Sequence, residues 1–588
     1  MFARFQIMLL CLPAALAVKA QQPAITQTVG GTTTYVQIDN LSSRAFIDPM
    51  IYGQMLEDCN DAVIYGGVVD EHGVVNEAVR DKLHDLQIPV MRWPAGTAIY
   101  DYEWKRGVGS TRTAVNEQIW GGREYYTFGT DEFIQWCQGI GIEPYINIPM
   151  GNNNTYSHSL KDALDWVKYV NDTPTSLMGR QRAANGHEEP YGVKYWCLGN
   201  ENYLGNRFHQ SESAATYASL LATYASAIKR AFPSVSLLGV GHTGTWNTTV
   251  LKKCGQYLDF LTLHFYMTAR VRERVLENPQ NTLFAAEKVE ANIRRYADEL
   301  QGYNDSMGRS ATPIRMSIDE WNCRHSVWNG SGYSFTRKDA RRLYDAAAIA
   351  AMLNAFIHTS PHLGMANYIF PVNGHGLLKT VGGQDAYETP AYYVFDLYRR
   401  FMKGSAVGVN VTGPGQKAVN LSSLSVEGDC DTALRGVTKD FCYVGCAAAV
   451  DDEGRVAVAL VNRSYDTPQR VSLSVKGEGS IYEVAEAWSV TSSDVLAENT
   501  AESRDAVVPQ SITLSAGGTL VLAPCAVAVV VLKKAGGEDA VLHVRQDGST
   551  SAGELYSLAG AKLPLRAAKP SGMYVSVEGS HRAKVAMK

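Results

Sequence analysis

The sequence predicts an α/β architecture: a parallel (β/α)8 TIM barrel, then an antiparallel β-sandwich domain and a small C-terminal β module. Three observations carry this prediction. Between about residues 48 and 400, short and almost continuously apolar segments alternate with longer amphipathic ones, the pattern of a parallel sheet covered on both faces. The number of such segments is eight, which favours closure into a barrel over an open doubly wound sheet. Beyond about residue 402 the period changes to alternating or β-branched runs separated by turn residues.

A chain of 588 residues exceeds what one core can hold, so two or three domains are expected. The net charge of −5 and the dispersed lysines and arginines exclude an electrostatic footprint for nucleic acid. Residues 1–20 read as a signal peptide: Arg4 is basic, "FQIMLLCLPAALAV" is apolar, and Val18-Lys19-Ala20 offers small residues for cleavage. The protein is therefore expected to be secreted, periplasmic or held at the cell surface. That apolar run is short for a membrane span, and no second one follows. Of ten cysteines, only Cys11 lies in this leader. The spacing of the others fits neither a zinc site nor a dense disulfide framework, although Cys430, Cys442 and Cys446 are close enough to suggest one disulfide.

Residues 21–45 contain the strand-like run "TQTVGGTTTYVQID", which can pair into the later sandwich. The barrel is assigned to 46–401. Its strands are read at "PMIYGQM" (49–55), "PVMRW" (89–93), "EPYINIPM" (143–150), "VKYWCLG" (193–199), "VSLLGVG" (235–241), "LDFLTLHFY" (258–266), "IRMSIDEW" (314–321) and "MANYIFPV" (365–372). Helical periodicity marks 76–86, 130–140, 215–232 and 339–358. The sandwich is assigned to 402–536, on runs such as "RVAVALVNRS" and "AVAVVVLKK". The module at 537–588 shows short strands again.

In a parallel barrel the working face is the carboxyl end of the strands. Glu57 follows the first strand there, Arg92 ends the second, and Asn200 with Glu201 follow the fourth. His264 and Tyr266 end the sixth strand, and Asp319 and Glu320 the seventh. Glu201 and Glu320 thus face each other across one mouth. Glycosidic bond cleavage needs such a pair, a proton donor for the leaving oxygen and a group on the opposite face of the sugar. Arg92 and His264 can hold hydroxyls and keep one carboxylate ionised. Asp319 is expected to turn to the other face of its strand. Trp104 and Trp120 offer stacking faces beyond the cleaved bond, with core or loop packing as the alternative. Cys197 and Cys323 read as packing residues. Two carboxylates and water complete such chemistry, so neither a metal nor a cofactor is expected.

These stretches, in this order, resemble glycoside hydrolase family 51, most of whose members are α-L-arabinofuranosidases. The resemblance runs through "IYGQMLEDCNDAVIYGGV" (51–68), "VMRWPAGTAIYDYEWKRGVG" (90–109), "FGTDEFIQWCQGIGIEPYINI" (128–148), "VKYWCLGNEN" (193–202), "LTLHFY" (261–266), "SIDEWN" (317–322) and "TPAYYVFDLYRRF" (389–401). It implies Glu201 as general acid/base and Glu320 as nucleophile, with anomeric configuration retained. It further implies Asn200 on the sugar 2-hydroxyl, Glu57 on furanose hydroxyls, Arg92 on the nucleophile, and Tyr266 and His264 orienting the two carboxylates. The family's Arg-Tyr-Pro-Gly-Gly-Asn is here Arg92-Trp93-Pro94-Ala95-Gly96-Thr97, so Thr97 stands where a sugar-binding asparagine is usual. The usual Gly-Asn-Glu-Met ends instead in Asn202.

The resemblance implies a secreted retaining α-L-arabinofuranosidase that trims arabinose from plant polysaccharides or oligosaccharides, in a family that forms hexamers and other homo-oligomers. Thr97 keeps a related barrel glycosidase open as an alternative, a β-xylosidase or endo-glucanase. The alternative from another class is a non-catalytic carbohydrate-binding protein. "GELYSLAGAKL" and "PSGMYVSVEG" resemble C-terminal sorting segments of some bacterial secreted proteins, with a plain accessory β-domain as the other reading.

Overall fold

The computed structural model describes residues 22–535, apart from 40–43, 59–60, 153–156, 208, 477–481 and 516–517, together with short strands between 554 and 587. The leader at 1–20 and Cys59 lie outside the described residues. Eight strands build the barrel: β1 Gly53–Met55, β2 Val90–Trp93, β3 Glu143–Ile148, β4 Tyr195–Leu198, β5 Ser236–Val240, β6 Phe260–Arg272, β7 Arg315–Trp328 and β8 Leu363–Ile369. Each pairs in parallel with the next and β8 pairs with β1, so the sheet is closed. The predicted TIM barrel is therefore the fold observed.

The strands are followed in turn by α1 Glu77–Asp85, α2 Thr130–Gly139, α3 Leu160–Asn171, α4 Ala214–Ala231, α5 Trp246–Cys254, α6 Ala285–Ser306, α7 Leu343–His358 and α8 Pro390–Phe401. Local chemistry sets several of their starts. Asn76, Ser159 and Ser213 each accept a hydrogen bond from a first-turn amide. The first strand is shorter than its apolar run. Pro49–Tyr52 form a 3-10 turn, because Asp48 caps the Met50 amide and Pro49 opens the turn.

Residues 339–358 read as an amphipathic helix, but α7 is buried on every face. The reason lies outside the barrel. Ala447, Ala449, Ala457, Ala459 and Val529 of the sandwich join the same core cluster as the barrel's own helices and cover the side of α7 that would otherwise meet water. His358, at the helix end, binds the Cys446 carbonyl at 2.9 Å and Glu290 at 2.8 Å.

In the sandwich the long strand Ser405–Gly413 pairs with Thr34–Asp39 in one layer and Val444–Val450 in the other. Val36, Val409, Val458 and Val530 lie in the core between the layers. Ile25–Val29 also pairs with Ser405–Gly413. Between 554 and 587, four strands pair antiparallel as a separate sheet. The suggested disulfide is not formed. Cys430, Cys442 and Cys446 are free thiols, with Cys442 and Cys446 in the sandwich core and Cys430 on a loop beside the barrel. Among the described residues, no helix is long and apolar enough to cross a membrane.

Candidate active site

The site starts from Arg92, the last inward side chain of β2 before its terminal Trp93 and completely buried. One guanidinium nitrogen, Nη1, donates to Glu320 Oε1 at 2.8 Å, and Nη2 donates to Asn200 Oδ1 at 2.6 Å. Nε faces Asp319 Oδ2 at 3.2 Å. A buried guanidinium needs anionic and polar partners on all sides, and here it links the ends of β4 and β7.

Asp319 does not turn away as expected. Tyr145 donates to its Oδ2 at 2.6 Å, while Ser317 and Asn367 donate to Oδ1, all within the barrel. The β6–β7 ladder runs from Leu263↔Ile318 directly to His264↔Glu320, and the β7–β8 ladder slips over the same residues. Asp319 is thus the extra residue of a bulge, and a bulge breaks the alternation of faces. Both neighbouring carboxylates therefore point inward.

Glu320 accepts from Arg92 and from the Tyr266 hydroxyl, and His264 Nδ1 lies 3.5 Å from its Oε2. Burial alone would raise its pKa. His264 and Arg92, with the Tyr266 bond, outweigh burial and hold the carboxyl well below the ordinary range. Conversely, burial disfavours protonation of His264, but Glu320 and the bond to Glu201 raise it to about 9. Gly96 is required at its position, since a Cβ there would stand 2.5 Å from Glu320 Oε1.

Glu201 follows β4 with a φ of +44°, in the left-handed region that a residue with a side chain occupies only under constraint. The constraint is visible. The Tyr100 hydroxyl donates to the Asn200 carbonyl at 2.7 Å and accepts from the Asn200 amide at 3.3 Å. His264 Nδ1 binds Glu201 Oε1 at 2.9 Å. The Glu201 side chain is 20% exposed, whereas that of Glu320 is 8% exposed.

Glu57 Oε1 accepts from the Gly96 amide and the Trp120 indole, each at 3.0 Å. Burial, reinforced by the negative charge of Glu320, pushes its pKa up to about 7. The free carboxyl ionises near 4.5, so folding disfavours the anion and stability falls as pH rises from 4.5 to 7. Glu57→Gln is accordingly expected to stabilise the protein by about 3 kcal/mol at pH 8 and by about 1 kcal/mol at pH 5. Denaturant unfolding at the two pH values checks this, and an equal change at both would refute it.

These groups line a cleft of about 440 Å³ at the barrel mouth. Glu57, Thr97, Glu201, Tyr266 and Glu320 are on its walls, and Arg92, Asn200 and His264 stand directly behind them. Trp104 does not belong there. It is 3% exposed and stacks on Trp166 with ring centroids 5.6 Å apart, inside the packing of α3. Trp120, 38% exposed, is the tryptophan that reaches the cleft. Two contributions were not legible in the sequence. β6 and β7 run on beyond the mouth as a paired ribbon, and the far end of β7, in a hairpin with Tyr333–Thr336, brings Arg324, Phe335 and Arg337 over the cleft. Glu427 and Gly428 arrive from the sandwich polypeptide. No short motif marks either.

Glu201, His264 and Glu320 each place one ligand-type atom within 4.8 Å of the others, as do Cys323, His325 and Asp345. In both sets the histidine is already bound to a carboxylate and an arginine lies beside a carboxylate, Arg92 at Glu320 and Arg341 at Asp345. Both arrangements are self-satisfied ion-pair clusters and poor hosts for a further cation.

A carboxylate held ionised and a second one exposed to the same cleft are the pair that hydrolysis of a glycosidic bond requires, and the protein is a glycoside hydrolase. The comparisons narrow the class. The model for the "Alpha-L-arabinofuranosidase 1 domain" matches residues 82–296, and that for the "Alpha-L-arabinofuranosidase C-terminal domain" matches residues 319–525. A probable alpha-L-arabinofuranosidase C from Aspergillus niger is 31% identical over 452 residues, 73% of this chain and 84% of that protein. An intracellular exo-alpha-(1->5)-L-arabinofuranosidase 1 from Bacillus subtilis is 26% identical over 495 residues, 79% of this chain and 91% of that one. Among solved structures, a family 51 alpha-L-arabinofuranosidase from Bifidobacterium longum superposes with a TM-score of 0.73 at 23% identity, over 86% of this chain and all of that one. The thermostable GH51 alpha-L-arabinofuranosidase of Thermotoga petrophila RKU-1 gives 0.70 at 25% identity, over 85% of this chain and all of that one. The chain belongs to glycoside hydrolase family 51, the α-L-arabinofuranosidase family.

Proposed function

We propose that the protein is an exported, retaining α-L-arabinofuranosidase that releases terminal arabinofuranosyl residues from plant polysaccharides or their oligosaccharides. The observation that carries this reading is the separation of the two carboxylates. An oxygen of Glu201 and one of Glu320 lie within 4.8 Å of each other and of His264. This closeness supports direct attack by one carboxylate, for which the two carboxyl groups stand about 5–5.5 Å apart, over the wider spacing of about 6.5–9.5 Å at which an inverting enzyme holds a water.

In the first step Glu320 attacks the anomeric carbon as the glycosidic bond breaks, and Glu201 gives its proton to the departing oxygen. In the second, the Glu201 carboxylate takes a proton from water while the water oxygen attacks the same carbon and frees Glu320. Arg92 and Tyr266 hold Glu320 ionised and oriented. His264 holds Glu201, and Asn200, fixed by Arg92, faces the sugar 2-hydroxyl. Glu57 and Thr97 meet the remaining furanose hydroxyls, and Trp120 with Phe335 flank the part of the substrate beyond the cleaved bond. The apolar leader at 1–20 supports export.

The test is hydrolysis of 4-nitrophenyl α-L-arabinofuranoside beside the β-D-xyloside and β-D-glucoside, with proton NMR of the first sugar released. The expected result is strong preference for the arabinofuranoside and release of the α-anomer. Preference for the xyloside or glucoside would move the specificity to Thr97 and its loop. Release of the β-anomer from the arabinofuranoside would refute the two-step mechanism.

A further inference from the structure

We propose that Asp429, carried by the polypeptide of the sandwich domain, is a positioning residue of the catalytic centre, acting on Glu201 through His264 and, by way of His242, through Tyr203. This rests on the acid/base reading of Glu201. The strand Val426–Gly428 leaves the sandwich and pairs antiparallel with β6 at Phe265–Met267. Immediately after it, the Asp429 amide donates to the His264 carbonyl at 2.9 Å, and Asp429 Oδ2 accepts from the His264 amide at 2.7 Å. His264 sits where the β6–β7 ladder slips. Its backbone is therefore held by the strap on both polar groups at the point where the barrel's own pairing is irregular.

The same carboxylate has a further partner. Its Oδ1 binds His242 Nδ1, beyond the end of β5, at 2.6 Å. The Tyr203 ring, two residues after Glu201, stacks on that imidazole with centroids 3.7 Å apart. One carboxylate, 1% exposed, thus ties together the residue that touches Glu201 and the loop that carries Glu201. The strap is itself fixed to α6. Tyr296 donates to the Asp429 carbonyl at 2.9 Å, Asn292 accepts from the Asp431 amide at 2.7 Å, and Arg295 pairs with Asp431. Without Asp429, His264 and the Glu201 loop keep their covalent neighbours but lose their shared anchor. A displacement of about 1 Å at such a site lowers turnover by up to about 100-fold.

The role makes a specific demand. A misplaced proton donor matters most when the leaving group is basic and needs the proton, and least when it departs as an anion. The full-length enzyme and its Asp429→Ala, Asp429→Asn and Glu201→Ala variants are assayed for kcat/KM on 4-nitrophenyl and on methyl α-L-arabinofuranoside. For Asp429→Ala the expected loss is about 100-fold on the methyl glycoside and under about 10-fold on the nitrophenyl one. Asp429→Asn still offers an oxygen to the His264 amide and is expected to recover most of the loss. Equal losses on both substrates in a folded variant, or no loss on either, would overturn the proposal. Should Asp429→Ala not fold, His242→Gln, which leaves the carboxylate but alters its imidazole partner, is read by the same ratio. Glu201→Ala separates the two readings. If it shows the leaving-group split and the Asp429 variants do not, the positioning role alone fails; if Glu201→Ala shows none, the acid/base assignment fails first.

Discussion

Glu320→Gln is expected to abolish turnover, lowering kcat by roughly 10⁴-fold or more on every arabinofuranoside. Arg92 Nη1 and the Tyr266 hydroxyl donate to this carboxylate, and His264 stands against it. Together they keep it anionic despite burial. An amide in its place has nearly the same shape but no nucleophilic anion, so the first chemical step loses its reactant. The fold should survive, because Arg92 keeps Asp319 and Asn200 as partners. A smaller variant gives the sharper measurement. Glu320→Gly with added azide is expected to regain activity and to form the β-arabinofuranosyl azide, in which configuration is inverted, because the anion enters from the face that Glu320 occupied. Residual activity of Glu320→Gln above a tenth of wild type would remove Glu320 from the nucleophile's role.

The second large effect is expected at Glu201. With a 4-nitrophenyl substrate the leaving group departs without a proton, so Glu201→Ala should still form the glycosyl–enzyme and then stall, because no base activates water. The expected record is a burst of one nitrophenol per active site, followed by turnover lowered about 10²- to 10⁴-fold. Azide should relieve the stall and give the α-azide, with configuration retained by two successive displacements. Steady turnover without a burst, unaffected by azide, would assign the acid/base role elsewhere. Together the two azide products form a stereochemical pair: opposite anomers from opposite faces of one sugar.

Much of this site was legible in the chain because barrel strands announce themselves. "VMRW", "YWCLGNE" and "RMSIDEW" are largely apolar runs with charged or amide residues at or beside their carboxyl ends, and a parallel strand buried on both faces has little other place for such groups than its ends. That pattern alone puts Arg92, Asn200, Glu201 and Glu320 at one mouth. It also puts Glu57, His264 and Tyr266 there. Trp104 was misplaced for an equally physical reason. It and Trp120 are both aromatic residues in one long loop, and local pattern does not say which packs on Trp166 and which bonds Glu57.

The sequence by itself determined the barrel, the strand ends and the identity of the facing carboxylates, because periodicity and local polarity are properties of short windows. Only the tertiary structure decided what depends on pairing between distant segments. The inward turn of Asp319 follows from a slip in register between strands about fifty residues apart, not from the residues of β7. The burial of α7 on all sides follows from a sandwich that closes over it. Asp429 reaches His264 across 165 positions, and no window of sequence contains both. Side-chain contact at that separation is set by how the strap Val426–Gly428 adds to β6, a backbone pairing that carries no residue code of its own.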